Sequence, residues 1–143
     1  SFYANTSMSF SDCYLHDNQA GVLYAQAVSG FAFELSYGGC TVEDNLIASY
    51  GNVQTQGQVD LSIEGGTWQR NEGLLGGAVH IGSGGSLEAS DVLFHDNSAS
   101  SGGAISAFAS PVTLGQGTQL TENSRPSCRR ASATTAWDAG NKV

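Results

Sequence analysis

Asparagine recurs along this chain at an almost fixed interval. "LHDN" ends at Asn18, "VEDN" at Asn45, "WQRN" at Asn71, "FHDN" at Asn97 and "LTEN" at Asn123, giving spacings of 27, 26, 26 and 26 residues. An apolar residue stands three places before each one: Leu15, Val42, Trp68, Phe94 and Leu120. A glycine pair keeps the same step, from Gly76-Gly77 to Gly102-Gly103. A period of this size implies supersecondary units that bury their apolar faces only by stacking on copies of themselves.

The apolar residues within each copy choose the unit. They alternate, as in "FAFEL" (31–35), "VDLSI" (59–63) and "AVHI" (78–81). Alternation by two is the pattern of strands with one buried face, and no segment shows the 3.6-residue period of a helix. Three short strands separated by Gly, Ser and Asn turns fit into each period. That is one coil of a parallel β-helix, whereas a propeller blade needs four antiparallel strands and a longer repeat. The expectation is an all-β solenoid of about five coils over residues 1–125, followed by a tail, 126–143, that has lost the repeat.

If each period lands on the one before, like residues form columns. Ten places before each Asn stand Met8, Leu35, Leu61, Leu87 and Thr113. Eight places before stand Phe10, Tyr37, Ile63, Ala89 and Gly115. The last copy fits better shifted by one, with Val112 and Leu114 as its apolar pair. The residues Leu15, Val42, Trp68, Phe94 and Leu120 are expected to point inward as a core column. The five asparagines are expected at a corner, where Asn tolerates left-handed backbone and can bond the turn. Stacked at roughly 4.8 Å per rung, their amides can also bond one another. The Gly-Gly pair is expected at the next corner, where no side chain fits.

Two recurring motifs, Gly76-Gly77-Ala78-Val79 with Gly102-Gly103-Ala104-Ile105, and Trp68 to Asn71 with Phe94 to Asn97, resemble the GGA[ILV] and FxxN repeats of the polymorphic outer membrane proteins of chlamydiae. Similar repeats occur in large right-handed β-helix surface proteins of algae and other microbes. Weaker copies run from Leu15 to Asn18, Val42 to Asn45 and Leu120 to Asn123, so the resemblance covers roughly residues 1–125. It implies a right-handed parallel β-helix and a cell-surface passenger, usually adhesive or structural. Fold alone does not carry function. No autotransporter barrel is present in the chain, and the basic tail lies outside the family pattern.

Charge narrows the classes of partner. Residues 1–124 hold twelve acids against Arg70 alone, while Arg125, Arg129, Arg130 and Lys142 face only Asp138 in the remainder. An acidic body disfavours nucleic acid, whose phosphates require Lys and Arg, and anionic polysaccharides and membranes for the same reason. No apolar run approaches the length of a membrane-spanning helix. The tail is expected either to cap the last coil, with Trp137 covering its edge, or to dock on an acidic partner through Arg125, Arg129 and Arg130. The chain opens inside a coil, so its first strand edge is expected to be covered by further coils of the same protein or by another chain.

Cys13 and Cys40 each stand five places before their Asn, on one column of adjacent coils. Their Cα atoms are expected about 5 Å apart, a geometry open to a disulfide or to two stacked thiols. Cys128 in the tail is a free thiol or an intermolecular link. Asn5-Thr6-Ser7 is an N-glycosylation sequon.

A catalytic reading of the same solenoid, a pectin-lyase-like carbohydrate-active enzyme, needs paired carboxylates. The place before each Asn reads Asp17, Asp44, Arg70, Asp96 and Glu122, an outward charge column in which Arg70 is expected to sit between Asp44 and Asp96. Asp17 and Asp44 could approach each other, with His16 and His95 close by. A calcium site among Asp17, Glu43 and Asp44 is open on the same grounds. No constellation of nucleophile, base and stabiliser stands out, and no cofactor motif is present. His16, His80 and His95 lack metal-ligand spacing and read as solvated strand or corner residues. The sequence therefore favours a structural or adhesive segment of an extracellular or cell-surface protein, or an accessory scaffold subunit docked in a larger assembly.

Overall fold

The computed structural model describes residues 6–124. Sixteen short strands and their turns account for the described chain, with no helix. Three parallel sheets run along the stack, each built from one strand per coil. The first contains Thr6–Ser11, Phe33–Gly38, Val59–Glu64, Ser86–Ser90 and Val112–Leu114 in spatial order. The second contains Tyr14–His16, Thr41–Glu43, Thr67–Gln69, Leu93–His95 and Gln119–Thr121. The third contains Leu23–Gln26, Val53–Gln56, Val79–Ile81 and Ile105–Ala107. A smaller pair, Glu72–Leu75 with Ser98–Ser101, bridges the corner between the second and third sheets. Five rungs on two faces and four on the third make about four full turns, where the sequence suggests about five.

Register follows the period residue by residue. Met8, Leu35, Leu61, Leu87 and Val112 are successive partners in the first sheet, as are Phe10, Tyr37, Ile63, Ala89 and Leu114. The one-residue shift expected in the last copy is therefore present. Leu15, Val42, Trp68, Phe94 and Leu120 are successive partners in the second sheet. Since side chains alternate across a strand, a slip of one residue would turn this whole column outward.

The three faces enclose a narrow core. Trp68, Tyr37, Phe94, Leu61 and Ile63 are among its largest fully buried side chains. The Tyr37 ring meets Trp68 edge-on at 5.2 Å between centroids, and Trp68 lies 6.0 Å from Phe94. Both arrangements are favourable for aromatic quadrupoles. On the outermost described rung, Leu15 and Phe10 are half-buried and Met8 is 45% exposed, so the column is complete only in the middle of the stack.

Two kinds of corner turn the chain. At the corner after the second sheet the backbone is left-handed, but at the residue before each asparagine. Asp17, Asp44, Arg70, Asp96 and Glu122 have φ between 49° and 55°. The sequence pattern suggests that conformation for the asparagine itself. The kink one residue earlier swings the Asn side chain into the coil, which explains why the preceding position accepts Arg and Glu despite a cost of about 1 kcal/mol or more for αL backbone. At the following corner the glycines are obligatory. A Cβ on Gly76 would lie 2.0 Å from the Val79 carbonyl oxygen, and one on Gly77 2.6 Å from those of Asn71 and Ser98.

Candidate functional site

The asparagine column is buried and fully hydrogen-bonded in the middle of the stack. Asn45, Asn71 and Asn97 have no exposed surface. Each Oδ1 accepts from both the backbone N–H and the Nδ2 of the preceding asparagine: Asn71 Oδ1 lies 3.3 Å from Asn45 N and 2.9 Å from Asn45 Nδ2. Asn97 Oδ1 serves Asn71 likewise at 3.0 and 2.9 Å, and Asn45 serves Asn18 at 3.0 and 2.8 Å. The second Nδ2 hydrogen goes to the carbonyl of the core residue one rung back. Asn45 donates to Leu15, Asn71 to Val42, Asn97 to Trp68 and Asn123 to Phe94, at 2.7 to 2.9 Å. An amide has two donors and an acceptor, and here all are matched.

Cys13 and Cys40 are joined as a disulfide, with Cα atoms 4.6 Å apart and a sequence separation of 27. Of the two arrangements the column allows, the covalent one is formed. It staples the first rung to the second, where Cys40 is fully buried.

The outward charge column is present, but Arg70 faces one way. Its Nε and Nη2 donate to the two oxygens of Asp44 at 2.8 and 2.7 Å, and Nη2 also reaches Glu43 at 2.7 Å. It stands between Asp44 and Asp96 in the column, as expected, but its guanidinium bridges two carboxylates of the preceding rung. Glu43 is what draws it: Tyr14 and Gln69 also donate to that carboxylate. The hydrogen bond from Tyr14, then those from Gln69 and Arg70, hold Glu43 below the usual carboxylate range, and Arg70 does the same for Asp44. The Arg70 guanidinium is stabilised further in its charged form by Asp44. His16 pairs with Asp17, and His95 with Thr121. The two histidines lie on one column three rungs apart, separated by Glu43 and Gln69, so they do not form a pair.

These groups lie at the surface, where ion pairs are worth little singly. Arg70→Glu nevertheless places a third carboxylate against Glu43 and Asp44, and we expect a lower melting temperature at neutral pH. Because both carboxylates titrate below their ordinary values of 4.5 and 3.8, their stabilising contribution is present above those values and lost as pH falls below them. The gap between the two proteins should close on acidification. A thermal unfolding series across that range checks both points, and an unchanged melting temperature at pH 7 would count against the observed pairing.

Among the described residues no group of three His, Cys, Asp or Glu side chains could hold a metal ion. The Asp17, Glu43 and Asp44 candidate is occupied instead by Arg70, Tyr14, Gln69 and His16. Arg125, Arg129 and Arg130, with Cys128, Trp137 and Asn5, lie outside the described residues.

Two residues are invisible to the period. Asn52 is fully buried and its Nδ2 lies within 3.1 Å of the carbonyls of Asn45, Glu72 and Gly77, bracing the corner from inside. His80, expected in solvent, is 6% exposed. Tyr50 from the 46–52 loop stacks over it, centroids 5.2 Å apart. Burial lowers the His80 pKa, so the ring is neutral at physiological pH. No protein-family model, curated protein or solved structure matches the chain.

Proposed function

We propose that this chain is a structural or adhesive segment of a secreted or cell-surface protein, acting through the surface it presents and not through catalysis. One observation carries the proposal: the repeated polar side chains are engaged in holding rung to rung. The asparagines bond each other and the backbone, and the clustered carboxylates Glu43 and Asp44 are taken up by Arg70. What the repeats build is a rod with flat faces, and its faces are left for contact. The Cys13–Cys40 disulfide supports an oxidising setting, since such bonds persist mainly outside the cytosol. The GGA[ILV] and FxxN resemblance supports the same placement.

Beads coated with the protein are expected to stay on films of cell-wall material under shear that removes albumin-coated beads. Equal loss of both would overturn adhesion. Release of reducing ends or unsaturated products from pectic and other polysaccharides would overturn the non-catalytic assignment in favour of the enzyme.

A further inference from the structure

On the outer side of the third sheet lies an open cleft of about 540 Å³. Its floor is a column in register across three rungs, Gln54, His80 and Ser106. Tyr50 stands at one side, stacked on His80. Phe108 stands on the following rung, 68% exposed, with its backbone N–H held by the Ile81 carbonyl at 2.8 Å. Gln56 also lines the cleft and accepts a hydrogen bond from Tyr24 at 2.9 Å.

Three features of this cleft point to a ligand class. First, none of its lining residues is Asp, Glu, Lys or Arg, although residues 1–124 hold twelve acids. It is an uncharged window in an acidic body. Second, its accessible polar groups are side-chain amides and hydroxyls, which both donate and accept. His80 lies beneath Tyr50 and is only 6% exposed, so it supports the floor from below. Third, two aromatic side chains are partly or largely exposed at the cleft, Tyr50 at 44% and Phe108 at 68%. Exposed aromatic faces beside a few convergent polar groups are the makings of a binding site.

We infer that this cleft binds a neutral oligosaccharide, lying along the solenoid axis with a sugar ring against Phe108 and its hydroxyls on Gln54, Gln56 and Ser106. Sugar hydroxyls need partners that donate and accept at once, and the C–H face of a pyranose needs an aromatic plane. A purely apolar ligand would strand the amides of the floor, which is costly. An anionic glycan would meet the field of the acidic body without a cation to receive it. An added β-strand would need a sheet edge, and this is a sheet face. The assignment rests on the adhesive reading, for which it names the ligand chemistry.

Isothermal titration with cellohexaose, laminarihexaose, mannohexaose and xylohexaose, with hexagalacturonate as the anionic probe, tests it. At least one neutral hexamer should bind and hexagalacturonate should not. Phe108→Ala and Gln54→Ala should each weaken binding at least tenfold. Phe108→Ala should leave the melting temperature unchanged, because the ring packs little. Absence of binding by all four neutral probes, equal binding of hexagalacturonate, or affinity unchanged in both variants would overturn the site. If hexamers bind and coated beads wash off, the cleft stands and adhesion falls. If beads are retained and no hexamer binds, adhesion stands and the cleft falls.

Discussion

Asn71→Ala is expected to destabilise the protein by about 4 kcal/mol, a large share of the 5–15 kcal/mol typical of a domain. The substitution removes one buried side chain and disables partners on both sides. Asn45 loses the acceptor for its N–H and its Nδ2, and the Val42 carbonyl and Asn97 Oδ1 each lose a donor. Each buried polar group left unmatched costs about 1–3 kcal/mol, and partial relaxation brings the total below the simple sum. Asn18→Ala is the internal control. Asn18 lies at the exposed end of the same column, where water can replace what is lost, and should cost under about 1 kcal/mol. Urea unfolding of the two variants separates the cases. Equal losses would show that the amide column does not hold the middle of the stack.

A loss of similar size is expected from Trp68→Ala. Trp68 is fully buried, with Tyr37 edge-on to it on one side and Phe94 on the other. Truncating a buried aromatic of this size costs about 3–5 kcal/mol through lost transfer energy and the cavity left behind. The neighbouring rungs are fixed by their ladders, so the space cannot easily collapse. Trp68→Phe should cost far less, about 1 kcal/mol, because it leaves only a small part of the cavity that the Ala variant leaves. It keeps most of the packing and deletes the indole Nε1–H, which is buried without a partner. Thermal unfolding monitored by circular dichroism would read both. If the Phe variant lost as much as the Ala variant, cavity volume would not be the source of the cost.

What can be read from the sequence is what repeats. Columns such as Leu35–Leu61–Leu87 and the five asparagines follow from arithmetic on the period, and even the one-residue slip at Val112 is visible there. What escapes is what occurs once. Asn52 aligns with Ala78 and Ala104 on later rungs, so no column marks it. His80 is buried by Tyr50, whose place in the next coil is taken by Gly76, so the period does not announce the cover. The direction of Arg70 is hidden for a related reason. The period gives Asp44 and Asp96 equal claim to it, and the choice falls to Glu43, a neighbour in a different column. The left-handed residue lies one place earlier than expected because Asn is the usual occupant of that backbone, whereas Asp44 and Arg70 fill it here so that the amide can turn inward.

The amide column also has a direction. From Asn18 to Asn123 every link has the earlier residue donating and the later one accepting. Whole rungs are thus interchangeable units for evolution: duplicating or excising one full period leaves each donor facing an acceptor, whereas inserting a single residue inside a strand misaligns everything downstream of it. Proteins built this way should vary in length by discrete steps, with divergence gathered in the loops and almost none in the spacing between asparagines.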